Sequence, residues 1–112
     1  MAATLRAWFE MRPLAAPDQP FPPRPTEVVA VAHSLDRTAE LRITRSSRGP
    51  FSFHFMAWAN FVDAGGGLHH GWHEFYPERA LVADSFETAA TSAFEDARLR
   101  GIELGALERV DA

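Results

Sequence analysis

The stretch that decides the fold is Phe51-Ser-Phe-His-Phe-Met-Ala-Trp-Ala-Asn-Phe-Val62, followed by Asp63-Ala-Gly-Gly-Gly67 and Leu68-His-His-Gly-Trp-His-Glu-Phe-Tyr76. Phe51, Phe53, Phe55, Ala57, Ala59 and Phe61 share one parity; Ser52, His54, Met56, Trp58 and Asn60 share the other. Successive side chains of a strand point to opposite faces, so this period of two predicts a long strand with a phenylalanine face and a mixed face. Glycines at 65–67 accept positive φ without steric cost and predict a turn, which makes His70–Tyr76 the return strand of a hairpin. A loop at 63–67 pairs Val62 with Leu68. Trp58 then lies opposite Trp72, Phe55 opposite Phe75, Met56 opposite Glu74, and His54 opposite Tyr76. A slip of one residue would turn every side chain to the wrong face.

Downstream of the hairpin, residues 84–101 read as a helix. Asp84 at the N-cap with Glu87 three positions later forms a capping box. Phe86, Ala89, Ala90, Ala93, Phe94 and Ala97 make an unbroken apolar stripe, and its alanines let the helix axis approach a sheet closely. Glu95–Arg98 and Asp96–Arg100 are spaced for exposed ion pairs. Gly101 is the expected C′ stop, with Ile102 as its apolar companion. The tail from Glu103 carries little pattern.

Upstream, residues 38–46 place Leu41 and Ile43 on one face and Glu40, Arg42 and Thr44 on the other, after a turn at Ser34–Arg37. Thr26–His33 is a valine-rich run that reads as a buried strand, with a Thr26-capped helical turn as the alternative. Residues 13–25 contain six prolines. They predict an extended connector, either a plain linker or a PxxP ligand for a partner's aromatic groove. Residues 4–12 alternate again and read as an N-terminal strand or a short helix. The expectation is one α+β domain over 1–112: an antiparallel sheet of four or five strands with a C-terminal helix packed on one side.

Composition narrows the chemistry. The 112 residues are 46% hydrophobic and 23% charged, which fits a globular chain. There is no cysteine, so disulfides, thiolate metal sites and thiol nucleophiles are absent. All 11 basic residues are arginine, which removes Schiff-base and P-loop lysine chemistry. The net charge of −4 speaks against a general phosphate-binding surface. The longest uncharged run, Gly49–Val62, is too short and polar to span a bilayer. The start of the chain has no apolar h-region, so a cytoplasmic protein without membrane contact is expected.

If the helix covers the phenylalanine face, the opposite face carries Arg42, His54, Met56, Trp58, Asn60, His70, Trp72, Glu74 and Tyr76. Trp58, Trp72 and Tyr76 can each bury ~150–250 Å², and a monomer does not leave such a patch to water. Three covers are open: the chain itself (Leu5–Met11 or the Pro-rich connector), a second copy, or another protein or ligand. Trp, Tyr and Met beside an arginine match an interface hot spot. The expected function is therefore a small non-catalytic binding module that self-associates or holds a protein partner, in the manner of an inhibitor or immunity factor, using Trp58, Trp72, Tyr76, Met56, His54, His70, Arg42 and Glu74 and no cofactor.

Three alternatives compete. His69, His70 and His73 invite a metal, but on a strand positions i and i+4 lie ~13 Å apart, too far to share one ion. Ser52, His54 and Glu74 share a face as a conceivable hydrolytic set, without a nucleophile elbow or an oxyanion hole. The Trp58/Trp72/Tyr76 face could stack single-stranded bases, with only Arg42, Arg45 and Arg48 to draw phosphates.

Overall fold

The structure is a computed structural model that describes residues 17, 19–62, 64–76 and 82–110, with the backbone alone described for 60–62 and 68–70. The expected strand at 4–12 lies outside these residues.

Among the described residues, five antiparallel strands form one sheet in the order β4-β3-β2-β1-β5, and one helix packs on it, so the fold is α+β. The strands are β1 (Val28–His33), β2 (Ala39–Arg45), β3 (Phe51–Val62), β4 (Leu68–Phe75) and β5 (Glu108–Arg109), and the helix α1 is Phe86–Leu99. The β3–β4 register is the one the alternation demands: Val62 faces Leu68, Trp58 faces Trp72, Met56 faces Glu74 and Phe55 faces Phe75. Thr26 and Glu27 form a turn rather than the first residues of a strand, with Val28 N–H bonded to the Pro25 carbonyl at 3.1 Å. A register shift between Val28 and Ala30 against β2 marks a bulge in β1.

The fifth strand comes from the C-terminal tail. Glu108 pairs with Val31 and Arg109 with Ala30. The tail is already held by a Ser34–Leu104 bridge, and the Arg109 guanidinium lies 3.7 Å over the Phe86 ring. Two residues are too few to show an alternation, so the sequence pattern gave no sign of it.

The helix begins one residue later than its capping box implies. Ser85, extended at φ −127° and ψ 153°, is the N-cap, and its Oγ accepts from Thr88 N–H at 3.1 Å. The cause is upstream: Ala83 exchanges two 2.8 Å backbone hydrogen bonds with Phe51, which holds the chain extended past the point where Asp84 would cap. The other end follows expectation. Gly101 sits at φ 78°, its N–H bonds Arg98 O and Ile102 N–H bonds Ala97 O, a Schellman closure that needs left-handed backbone. Both helix ion pairs form at 2.7 Å. Asp96–Arg100 is largely shielded rather than exposed, because the Arg100 guanidinium lies 5.2 Å over the Phe75 ring.

The core lies between helix and sheet. Ala89, Ala93 and Ala97 meet Ala30, Ala32, Leu41, Ile43, Phe53, Phe55, Ala57 and Phe75, all buried, with Phe51, Phe86 and Phe94 at the margin. Small residues on the helix leave room for large ones on the sheet, so the two layers pack closely.

Candidate sheet-face binding site

Part of the other face of the sheet is covered by the chain itself. Residues 19–25, which make no strand, run over it as a strap. The Phe21 ring stacks on His33 of β1 at 4.3 Å between centroids and leans on Trp72 of β4 at 4.8 Å, with the Arg37 guanidinium 5.1 Å away. Pro22 offers its carbonyl to Arg42 Nη2 at 2.6 Å. Arg24 reaches Glu40 with Nη2 at 2.7 Å and Nε at 3.3 Å. Proline fixes φ and lacks an N–H, so this segment is preset as extended and contributes carbonyls and side chains rather than a ladder.

Glu40 is the centre of the face. It is fully buried at 0% exposure and directly opposite His33 across β1–β2. Its Oε2 accepts from Arg24 and from His33 Nε2 at 2.8 Å, and its Oε1 accepts from Arg42 Nε at 2.6 Å. Because the carboxylate can only accept, His33 carries its proton on Nε2, leaving Nδ1 toward Arg37 Nη1 at 3.5 Å. Burial pushes the Glu40 carboxyl up, but hydrogen bonds from Arg24, Arg42 and His33 and the charge of Arg42 outweigh it and hold the group below the ordinary glutamate value.

A second cluster sits at the end of the hairpin. Tyr76 O–H donates to Glu74 Oε1 at 2.6 Å, and that bond raises the phenol above its usual value. Glu74 Oε2 lies 3.5 Å from His54 Nε2, and the His54 ring is 5.3 Å from the Tyr76 ring. His54 is buried, and among the described residues its Nε2 makes no hydrogen bond. Burial is the main force holding its imidazole below the ordinary value; Glu74 pulls it up and Arg42 pushes it further down.

The predicted site residues therefore share a face but differ in access. Trp58, Met56, His54 and Arg42 are buried, Trp72 is half-buried, and Glu74 and Tyr76 are exposed, Tyr76 at 57%. Trp58 and Trp72 pack edge to face at 5.4 Å. His70 takes the β4 position opposite Asn60, and His69 the one opposite Phe61. His73, four residues along the same strand from His69, bonds the Ala59 carbonyl through Nε2 at 3.1 Å. Among the described residues no three of His, Asp and Glu converge as a metal site. Ser52 shares a 2.8 Å hydrogen bond with Thr44 rather than with His54, so the Ser–His–acid set is not assembled.

Sequence reasoning missed Phe21, Arg24, His33 and Glu40 as members of this site. A usable signal existed: Glu40 and Arg42 alternate onto the same face as the indoles, and a charged pair among buried aromatics requires further partners. The described residues also form concave places. A groove of about 560 Å³ runs between the strap and β4, walled by Pro20, Phe21, Pro22, Trp72 and His73. A second of about 830 Å³ lies on the helix side, walled by Leu35, Phe94, Ala97, Ile102 and Leu104 with the Glu95–Arg98 pair at its rim.

No described helix is long and apolar enough to cross a membrane. No family model, no curated protein and no solved structure matches the chain.

Proposed function

We propose that the protein is a small non-catalytic binding module whose recognition surface is the sheet face opposite the helix, closed in this state by its own strap and opened for a protein partner. The observation that carries this reading is how the strap is held. Among the described residues it contributes no ladder hydrogen bonds and is held by the Phe21 ring, the Pro22 carbonyl and Arg24, whose side chain is 35% exposed. Segments tied by few contacts open far below the free energy of global unfolding. What the strap uncovers is Trp72 beside a charged cluster, the mixture of aromatic and arginine groups that recognition surfaces use.

The test is native-state hydrogen exchange. The Trp72 indole N–H is shielded and has no hydrogen-bond partner among the described residues. It should exchange through a local opening, at a rate insensitive to low denaturant, while amides of α1 and β2 exchange by global unfolding. Exchange of Trp72 Nε1–H only with global unfolding would show a permanently closed face and end the proposal.

A further inference from the structure

We infer that the strap is an internal copy of the ligand: the sheet face recognises an extended aromatic-Pro-Pro-Arg segment, and the partner is a protein that presents such a segment in place of residues 21–24. This rests on the reading of the face as a binding surface that opens.

The ligand's chemistry is read from what now occupies the face. A flat ring fits between His33 and Trp72, whose centroids lie 4.3 and 4.8 Å from that of Phe21. A carbonyl one residue later meets Arg42 Nη2 at 2.6 Å. A guanidinium three residues after the ring reaches Glu40, which approaches it with a fully buried carboxylate. Each contact asks for a different group at a fixed spacing along extended backbone, and prolines between them hold that spacing with little entropy left to lose. Glu40 makes the arginine position selective. With that guanidinium absent the carboxylate keeps Arg42 on Oε1 and His33 on Oε2 but loses the second donor to Oε2 and the positive charge that comes with it. An aromatic-Pro-Pro segment lacking arginine is therefore rejected by a buried acceptor left short of a donor. The groove of about 560 Å³ beside the strap gives an incoming segment a place to make first contact before exchange.

Because the internal copy is tethered, it competes at high effective concentration, and an outside segment binds the intact protein weakly. The probe is a synthetic peptide of residues 19–25, Gln-Pro-Phe-Pro-Pro-Arg-Pro, followed by tryptophan fluorescence and by chemical shifts of the Trp72 indole. Phe21→Ala/Arg24→Ala is the receptor with a weakened strap, and Arg24→Ala alone is the milder version should the double variant lose its helical circular dichroism. The expected result is saturable binding to a folded strap-weakened receptor at least tenfold tighter than to wild type. Replacing the peptide's arginine by alanine should weaken binding tenfold or more, and Glu40→Gln in the receptor should abolish that difference. No saturable binding to a folded strap-weakened receptor overturns the inference, and so does equal affinity for the arginine and alanine peptides. A concentration-dependent doubling of the wild-type mass by light scattering, lost in Arg24→Ala, also overturns it by making a second copy the occupant. Local opening at Trp72 without peptide binding would leave the binding-module reading standing and remove this one alone.

Discussion

The two faces of this sheet are buried by opposite means. On the helix side, alanines of α1 press on phenylalanine, leucine and isoleucine. On the strap side, Glu40 and Arg42 are as inaccessible as any core residue, at 0% and 3% exposure, and lie among tryptophan, histidine and methionine. Apolar packing is non-directional and tolerates any cover of the right shape. A buried carboxylate tolerates only a cover that brings donors to defined points. The first face is thus satisfied by any apolar cover of the right shape, and the second only by one that brings donors to Glu40.

The largest effects should come from deleting one member of each face. Glu40→Leu strands Arg42 in a site from which water is excluded, and loss of one partner of a buried pair typically costs about 3–5 kcal/mol. Phe55→Ala, at 0% exposure on the helix side, removes a ring and leaves a cavity at a similar cost of about 3–5 kcal/mol. Urea midpoints should place the two variants side by side. The comparison breaks apart in the repair. Replacing His33, Glu40 and Arg42 together by Leu, Leu and Met removes the buried ionic cluster of β1 and β2 as a whole, so stability should return to wild type or exceed it by ~1–4 kcal/mol. The same triple variant should speed exchange at the Trp72 indole, because Arg24 has lost its anchor. A triple variant as unstable as Glu40→Leu would mean that the ionic cluster is structural rather than selective.

A smaller effect tests the helix side alone. Ala93 is fully buried at the centre of the alanine stripe. Ala93→Leu should overpack the helix–sheet layer and cost ~1–3 kcal/mol in thermal or urea unfolding. It should leave exchange at Trp72 unchanged. Acceleration at Trp72 would show that the two faces are coupled through the sheet, against the independence assumed above.

How much of this was legible in the chain depends on which physical rule carried it. The β3–β4 hairpin followed from parity alone, because a residue such as Phe55 cannot be moved one place without burying His54 against the helix. The helix and its Gly101 stop followed from local rules of periodicity and capping. The N-cap at Ser85 did not: Asp84 and Ser85 are both good caps, and a tertiary bridge from Ala83 to Phe51 chose between them. β5 escaped because two residues carry no period. On the strap face, alternation sorted Trp58, Trp72 and Arg42 correctly and showed that the face needed a cover. It could not show that Arg24, 16 residues before Glu40, would meet it, since proline-rich segments carry no register to read.

The smallest effect is the most specific to the strap side, and it is a matter of pH. Burial holds the folded His54 imidazole below the ordinary value of about 6.5, so the folded state prefers it neutral. In the unfolded chain the same group takes up its proton near 6.5. Between that pH and the lower folded value the unfolded state binds more protons, so stability falls as the solution is acidified. The contribution is complete above about pH 6.5. It is separate from that of Glu40, whose carboxylate stabilises the fold above the ordinary glutamate range of about 4.3 and loses that contribution below it. Urea titrations at pH 7.5, 6.5 and 5.5 should show a decline in wild type that His54→Gln flattens, so the informative quantity is the difference between the two profiles. Glu74→Gln gives the opposite sign. Its charge is what draws the His54 value back up, while the Tyr76 hydrogen bond can still be accepted by the amide oxygen. Without that charge the folded value drops further, and stability should fall further between pH 6.5 and 5.5 than in wild type, with little change at pH 7.5. Parallel profiles for all three proteins would mean that His54 is not closed off from water, and that the strap side is as open at the hairpin end as the helix side is sealed.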